Sequence, residues 1–277
     1  MIILFSGILY FYFNLTLKKI MKVLPTLKNI VHNGGNMFLP SVSVDCVIFG
    51  FYGNELKILL LKMKHNDVFG FPGGFILKDE NATTAAERVL KERTGLNNII
   101  LTQFHTFSEP KRSDKKLHLS TIKKEGLSLL KGNWLLQRFV TIGYYALVDF
   151  TKVLHTHDAL SETCDWYPLQ PAPVLMMDHN DILSKALQTL QQQINHQPIG
   201  YNLLPPKFTM PELQKLYETI LDKALDRRNF QRRMLSYGIL KKLEEVKTGV
   251  AHKAPFLYSF NKQKYEEAVR DGLGGGW

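Results

Sequence analysis

At 277 residues, with 45% apolar and 22% charged residues, the chain has material for one large domain or two ordinary ones, which excludes a disordered or fibrous protein. Its two cysteines, Cys46 and Cys164, build no disulfide framework and make no zinc spacing with histidine; they read as reduced, structural thiols. The net charge of +10 is uneven, with basic residues gathered in 1–37, 111–138 and 226–253. That pattern suggests contact with a polyanion, although any one basic stretch also suits a solvated face.

The first apolar run, IILFSGILYFYFNLTL, stops at Lys18-Lys19. It is shorter than the roughly 18 residues of a membrane span, and it lacks the charge order of a signal peptide. Met21 and Met37 both stand where a start could lie. Residues 1–37 therefore read as an N-terminal extension, mis-started or a weak anchor, with a helix packing on the body as the alternative. PSVSVDCVIFGF (40–51) and LKILLLKM (56–63), separated by Gly53-Asn54, read as a hairpin. FGFPGGFI (69–76) is a short strand broken at Pro72-Gly73-Gly74. An Ala-rich helix over Thr83–Arg93 starts at Asn81 or Thr83 and stops at Gly95. Strands are predicted at 98–107, 139–150 and 164–169. The long basic segment between the first two, 108–138, reads as mobile or ligand-facing. HNDILSKALQTLQQQI (179–194) carries one apolar stripe and is predicted helical.

Composition changes at IGYNLLPPKF (199–208), which suits an interdomain linker. Thr209 caps a helix over 210–221, and Asp226 caps a second over 227–240. Residues 241–260 then read as strand, turn at Thr248-Gly249, basic segment, strand. Helix, turn, helix and a two-stranded wing is the winged helix-turn-helix order. The second helix sets Phe230, Met234 and Tyr237 on one face. It leaves Arg227, Arg228, Asn229, Gln231 and Arg232 for base edges, for which arginine and the amides have the best geometry. Lys241, Lys242, Lys247, His252 and Lys253 would follow phosphates along the wing. A basic helix on a protein-binding module is the alternative.

The segment from Gly74 resembles the signature of the Nudix superfamily: Gly, five residues, Glu, seven residues, Arg-Glu, an aliphatic, any residue, Glu-Glu, any residue, Gly, an aliphatic. Gly74, Glu80, Arg88, Leu90, Glu92, Gly95 and Leu96 stand at those offsets. The resemblance implies that glutamates on one face of the helix hold divalent metal against a diphosphate. Three of those positions here read Val89, Glu92 and Arg93, so the face loses its net negative charge. Mg²⁺ needs hard oxygen ligands; valine offers none and arginine repels the ion. Glu80 and Glu92 remain as the catalytic candidates, Glu92 also as the metal ligand, and hydrolysis is expected to be weak or absent. Arg93 could instead contact an anionic ligand directly. The plainer alternative is an Arg88–Glu92 ion pair with Arg93 solvated. Glu109 and Glu162, in loops, are further candidates for a base from outside the helix.

The two halves together resemble the Nudix-related transcriptional regulators. The resemblance covers about residues 38–265, through FPGGFI, the degenerate box, VTIGYYALV, WYPL, MDHNDIL, FTMPELQKLYETIL and LDRRNFQRRML. It implies an α/β fold: a Nudix αβα sandwich with a mixed sheet over 38–200, then a winged helix over 201–277. It also implies double-stranded DNA as partner, a cytoplasmic homodimer on a palindromic operator, and control of NAD synthesis or sugar use. The effector would be an ADP-ribose-like nucleotide or a free sugar, bound by Arg88, Glu92, Arg93, Glu109 and Arg112. Regulation would need no cofactor; Mg²⁺ would enter only for hydrolysis. The competing reading is a Nudix hydrolase of ADP-ribose or a related nucleoside diphosphate. A membrane-held adaptor anchored by residues 2–17 is a minor third.

Overall fold

The structure is a computed structural model and describes residues 26–97, 99–129, 132–157, 160–247 and 254–273. The apolar run with Lys18-Lys19 and Met21, the Thr248-Gly249 turn, His252 and Lys253 lie outside them. No helix among the described residues is long and apolar enough to cross a membrane.

A mixed sheet forms the body. β1 (Phe38–Tyr52) is its centre, antiparallel to β2 (Glu55–Met63) and β4 (Gly73–Leu77), and parallel to β6 (Val140–Val148). β3 (Phe69–Gly70) and β7 (Ser161–Pro168) extend it beyond β2, and β5 (Leu101–Phe107) closes the far edge on β6. Central strands buried on both faces must be apolar at successive positions. β1 meets that demand by alternation: Val44, Cys46 and Ile48 join one core, Val47 and Phe49 the other. In β2, Leu59 and Leu61 face the first core, and Ile58 and Leu60 the second. Helix α2 (Ala82–Thr94) covers the first face with Ala85, Ala86, Val89 and Leu90. A later helix, α4 (His179–Gln193), covers the second with Ile182, Leu183, Ala186 and Leu190.

Two segments are more ordered than their sequences suggest. Residues 27–37 form a helix, α1 (Leu27–Met37), whose Leu27 and Val31 are buried with Ile122 and Leu135. The extension is thus partly a wall of the body. The basic segment 108–138 holds the helix α3 (Lys115–Lys124) and a short turn of helix at Trp134–Leu136. Ile122, Leu135 and Trp134 pack it against α1, while Arg112, Ser113 and Leu135 of the same segment line a cleft, as a ligand-facing segment would.

The C-terminal half is a winged helix. α5 (Met210–Leu221) opens with a reciprocal capping box between Thr209 and Glu212, and ends at Asp222 in the left-handed region. α6 (Arg227–Ser236) is capped by Asp226, whose side chain accepts from the Asn229 N–H at 2.8 Å. It stops short of the predicted 240, because Gly238 turns the chain at φ +67° into a strand. β8 (Phe208–Thr209), β9 (Leu240–Val246) and β10 (Phe256–Phe260) form a sheet of order β8-β10-β9, and α7 (Lys262–Asp271) follows.

Residues 199–208 do not behave as a loose linker. Ile199, Leu203, Leu204 and Phe208 are buried, and one continuous core runs from Val47 and Ile182 through them to Leu213, Phe230 and Tyr258. Gly200 sits at φ +128°, where an added Cβ would lie 3.1 Å from Phe260 and 3.3 Å from Leu213. Gln191 of α4 donates to the Ile220 carbonyl of α5 at 2.9 Å. The apolar side chains of this glycine- and proline-bearing segment seal the two halves together.

Candidate functional site

The Nudix-like box forms one wall of a cleft of about 640 Å³. Asn81 caps α2, its side chain accepting from the Thr84 N–H, and Gly95 ends the helix at φ +69°. The glycine pair before it allows close approach. A Cβ on Gly73 would fall 2.5 Å from Asp45 Oδ1, and one on Gly74 would fall 2.8 Å from Val89 Cγ2.

Arg88 is the hub of this wall. Its Nη2 donates to Glu80 Oε1 at 2.6 Å and to the Phe75 carbonyl at 2.9 Å, while Nε reaches Glu80 Oε2 at 3.2 Å. Glu80 also accepts the Leu77 N–H at 2.8 Å. Burial works to raise the Glu80 pKa, but Arg88 and the Leu77 amide outweigh it and hold the carboxyl below its usual range. Glu80 is therefore a brace between the loop and α2, and its side chain does not line the cleft. Glu92 does line it, 3.5 Å from Arg88 Nη1. Burial pushes the Glu92 carboxyl up, and Arg88 and Arg93 pull it only part of the way back. Arg93 also lines the cleft but is 4% exposed, so it is not the solvated side chain of the plainer sequence reading. Val89 is 1% exposed and packs in the core beneath the face.

Two residues that the sequence left unremarked, His179 and Asp45, line the cleft together with the predicted Arg112. His179, the first residue of α4, accepts the Phe71 N–H through Nδ1 at 3.0 Å and stacks on the Phe71 ring. Burial lowers its pKa, against the pull of Asp45 and Asp178. Arg112 forks onto Asp178, with Nε to Oδ2 at 2.8 Å and Nη2 to Oδ1 at 3.1 Å. It also donates to the Phe139 carbonyl at 3.1 Å and stands 3.9 Å from Asp45. Arg112 is thus on the cleft wall with its guanidinium engaged by the protein. Asp45 carried a signal in the sequence: an acid inside a buried strand needs a partner. Glu109 is exposed and does not line the cleft, and Glu162 pairs with Lys62 at 3.4 Å on the surface.

The donor set does not suit Mg²⁺. Among the described residues no three His, Cys, Asp or Glu side chains stand together as a metal cage. Of the two box glutamates left, Glu80 is bonded to Arg88 and Glu92 has two arginines beside it. A hard cation asks for several oxygen ligands, and adjacent guanidinium groups repel it.

The second candidate surface is α6. Phe230 and Met234 are buried, and Arg227, Arg228, Asn229, Arg232 and Lys241 are exposed, with Gln231 half-buried. Asn229 accepts from Arg232 Nη2 at 2.9 Å, and Arg233 Nε reaches the Tyr237 hydroxyl at 2.6 Å. On the wing, Lys247 pairs with Glu212 at 2.6 Å and Lys242 sits 3.6 Å over the Phe256 ring. Those two lysines have partners inside the protein; Lys241 points outward.

A nucleotide-sized cleft on a Nudix-type box and an arginine-bearing helix on a winged helix, joined through one core, define a regulator with a sensor half and a reader half. Residues 39–188 match the NUDIX domain family and residues 200–260 match the NrtR DNA-binding winged helix domain. The chain is 31% identical over 235 residues to the ADPR responsive transcriptional repressor NtrR of Acinetobacter baylyi, covering 82% of this chain and 84% of the relative. NrtR of Shewanella oneidensis, solved alone, superposes with a TM-score of 0.63 at 24% identity, over 81% of this chain and 96% of that one. The same protein complexed with a 27mer DNA gives 0.62 at 24%, over 81% and 95%. A MutT/nudix family protein from Enterococcus faecalis gives 0.57 at 21%, over 86% and 94%. The chain belongs to the NrtR family of Nudix-related transcriptional regulators.

Proposed function

We propose that this chain is a repressor that binds operator DNA through α6 and the wing and answers to an ADP-ribose-like nucleotide in the cleft. The observation that carries this is the polarity of the box helix. Arg88, Glu92 and Arg93 face a cleft sized for a nucleoside diphosphate, without the carboxylates that would turn binding into metal-assisted hydrolysis. The relative from Acinetobacter is named as ADPR responsive and as a repressor, which supports the same effector class and sign. A free sugar would leave most of this apolar-walled volume unfilled. On this reading the chain acts in the cytoplasm as a homodimer on a palindromic site, with Arg227, Arg228, Asn229, Gln231 and Arg232 nearest the bases and Lys241 and Lys253 on phosphates.

Coupling runs through α4. Its first turn holds His179 and the Arg112-bound Asp178 at the cleft floor, and Gln191 near its end bonds the first helix of the winged half. An effector shifts the DNA equilibrium only as far as it binds the two states differently. The test is a labelled fragment from upstream of the chain's own gene, titrated with protein in excess random DNA, with and without ADP-ribose. Specific binding that ADP-ribose weakens supports the reading; binding that random DNA abolishes would leave only a nonspecific basic surface.

Glu92 favours one competing reading. A carboxyl with a raised pKa inside a cleft is a candidate general acid or base, so slow hydrolysis of ADP-ribose is the second hypothesis. Release of AMP from ADP-ribose with Mg²⁺ present, lost in Glu92→Gln, would establish it.

A further inference from the structure

One wall of the cleft belongs to neither matched domain. α1 ends at Met37, ahead of the Nudix match, and Thr26, Asn29 and Ile30 at its start line the same cleft as Arg88. On its own this helix is weak. It has eleven residues, three of them asparagines, with Gly34-Gly35 near its end. Glycine is the poorest helix former after proline, and isolated helices this short are marginal in water.

Docking holds it instead. The Trp134 indole N–H donates to the Ile30 carbonyl at 3.0 Å, and the Asn133 amide to the Val31 carbonyl at 3.0 Å. Gly34 lies so close to the indole that a Cβ there would come within 2.2 Å of it. The other side of Trp134 meets Phe38 at 5.6 Å, Phe75 at 4.7 Å and Phe139 at 5.9 Å between ring centroids, and these three rings line the cleft. The Phe75 carbonyl in turn accepts from Arg88. Helix docking, the aromatic wall and the cationic wall are therefore one packed unit.

We propose that α1 is a binding wall of the effector site. With Phe38, Phe75 and Phe139 it takes the planar, apolar end of a nucleoside diphosphate whose anionic end lies toward Arg88. This deepens the effector reading above and rests on it. A ligand that touches only the docked helix stabilises docking by mass action, and a helix held by tertiary contacts alone is the kind of element that a ligand can order.

Hydrogen exchange on the full chain tests this with two probes, ADP-ribose and ribose 5-phosphate, the second lacking the base. Saturating ADP-ribose should slow exchange of the 30–37 amides roughly tenfold or more, and ribose 5-phosphate should not. Calorimetry on Trp134→Phe, which keeps a ring and loses the bond to Ile30, should show ADP-ribose affinity down about fivefold, within the range of one lost hydrogen bond. DNA affinity without ligand should stay unchanged. Should Trp134→Phe lose its fold, Asn29→Ala takes its place, since Asn29 is half-buried and bonded to Asn33 within α1. ADP-ribose binding that leaves α1 exchange and the variant's affinity untouched overturns this proposal and spares the effector reading. Equal protection by ribose 5-phosphate overturns the base-end assignment. An unaltered chain that binds no ADP-ribose overturns both.

Discussion

α2 and α6 are both arginine-bearing helices, and they use arginine in opposite directions. In α2 the guanidinium of Arg88 turns back onto Glu80 and the Phe75 carbonyl, and Arg93 is buried. In α6 the apolar stripe of Phe230 and Met234 sinks into the core and lifts Arg227, Arg228 and Arg232 into solvent. The number of charges on a helix does not fix their role; the position of the apolar stripe relative to them does. Inward arginines shape a site and stabilise a loop. Outward ones stay hydrated until a polyanion replaces the water.

The contrast can be broken by removing one arginine of each kind. Arg88→Ala leaves Glu80, whose side chain is 9% exposed, with only the Leu77 amide. Leaving that partly buried carboxylate short of its charged partner costs about 1–3 kcal/mol, so a urea midpoint should drop and ADP-ribose affinity should fall with it. An unchanged midpoint would show that Arg88 belongs to the ligand alone. Arg228→Ala should do the reverse. Operator affinity falls by about 1–3 kcal/mol if it meets a base, while the urea midpoint stays put. Lys241→Gln, on the wing, probes a weaker, sequence-independent contact. If Lys241 meets a phosphate, the slope of log K against log salt falls by about 0.9, with equal loss on specific and random DNA. Arg88→Gln should leave that slope alone, and a slope change there would erase the distinction between the two helices.

Much of this was legible in the sequence because it was local. The box offsets from Gly74 to Leu96, the Asn81 and Asp226 caps and the Phe230–Met234 stripe are short-range patterns, and each became the element it suggested. What escaped depends on partners far along the chain. α1 has poor helix composition and exists through Trp134, about a hundred residues away. The 199–208 segment looks like a linker until its leucines meet α4 and α5. At the site, Glu80 has the spacing of a catalytic carboxylate, but its geometry is that of a brace, since the sequence could not show that Arg88 would turn to it. Arg112 was legible as cationic, though its commitment to Asp178, 66 residues on, was not.

The same contrast extends to pH, with the smallest effect. The cleft end holds a buried histidine, and no described residue of α6 is one. His179 keeps Nδ1 as an acceptor for the Phe71 N–H, so its proton sits on Nε2 and a second proton would break the bond. Asp45 and Asp178 favour that second proton; burial and Arg112 oppose it, and the net shift is below the ordinary value of 6.5. The unfolded chain therefore binds a proton that the fold refuses as pH drops through 6.5, and stability falls there, by at most about 1.4 kcal/mol per pH unit. Glu80 and Glu212, held below the carboxylate range, lose their contribution only in stronger acid. Glu92, raised by burial, opposes the trend where it takes up its proton. Urea midpoints between pH 7 and 5.5 should accordingly decline more steeply for the unaltered chain than for His179→Gln. ADP-ribose affinity of the folded protein should hold over the upper part of that range, because the fold keeps His179 neutral and its bond from the Phe71 N–H intact. Parallel declines in the two proteins would place the proton uptake elsewhere.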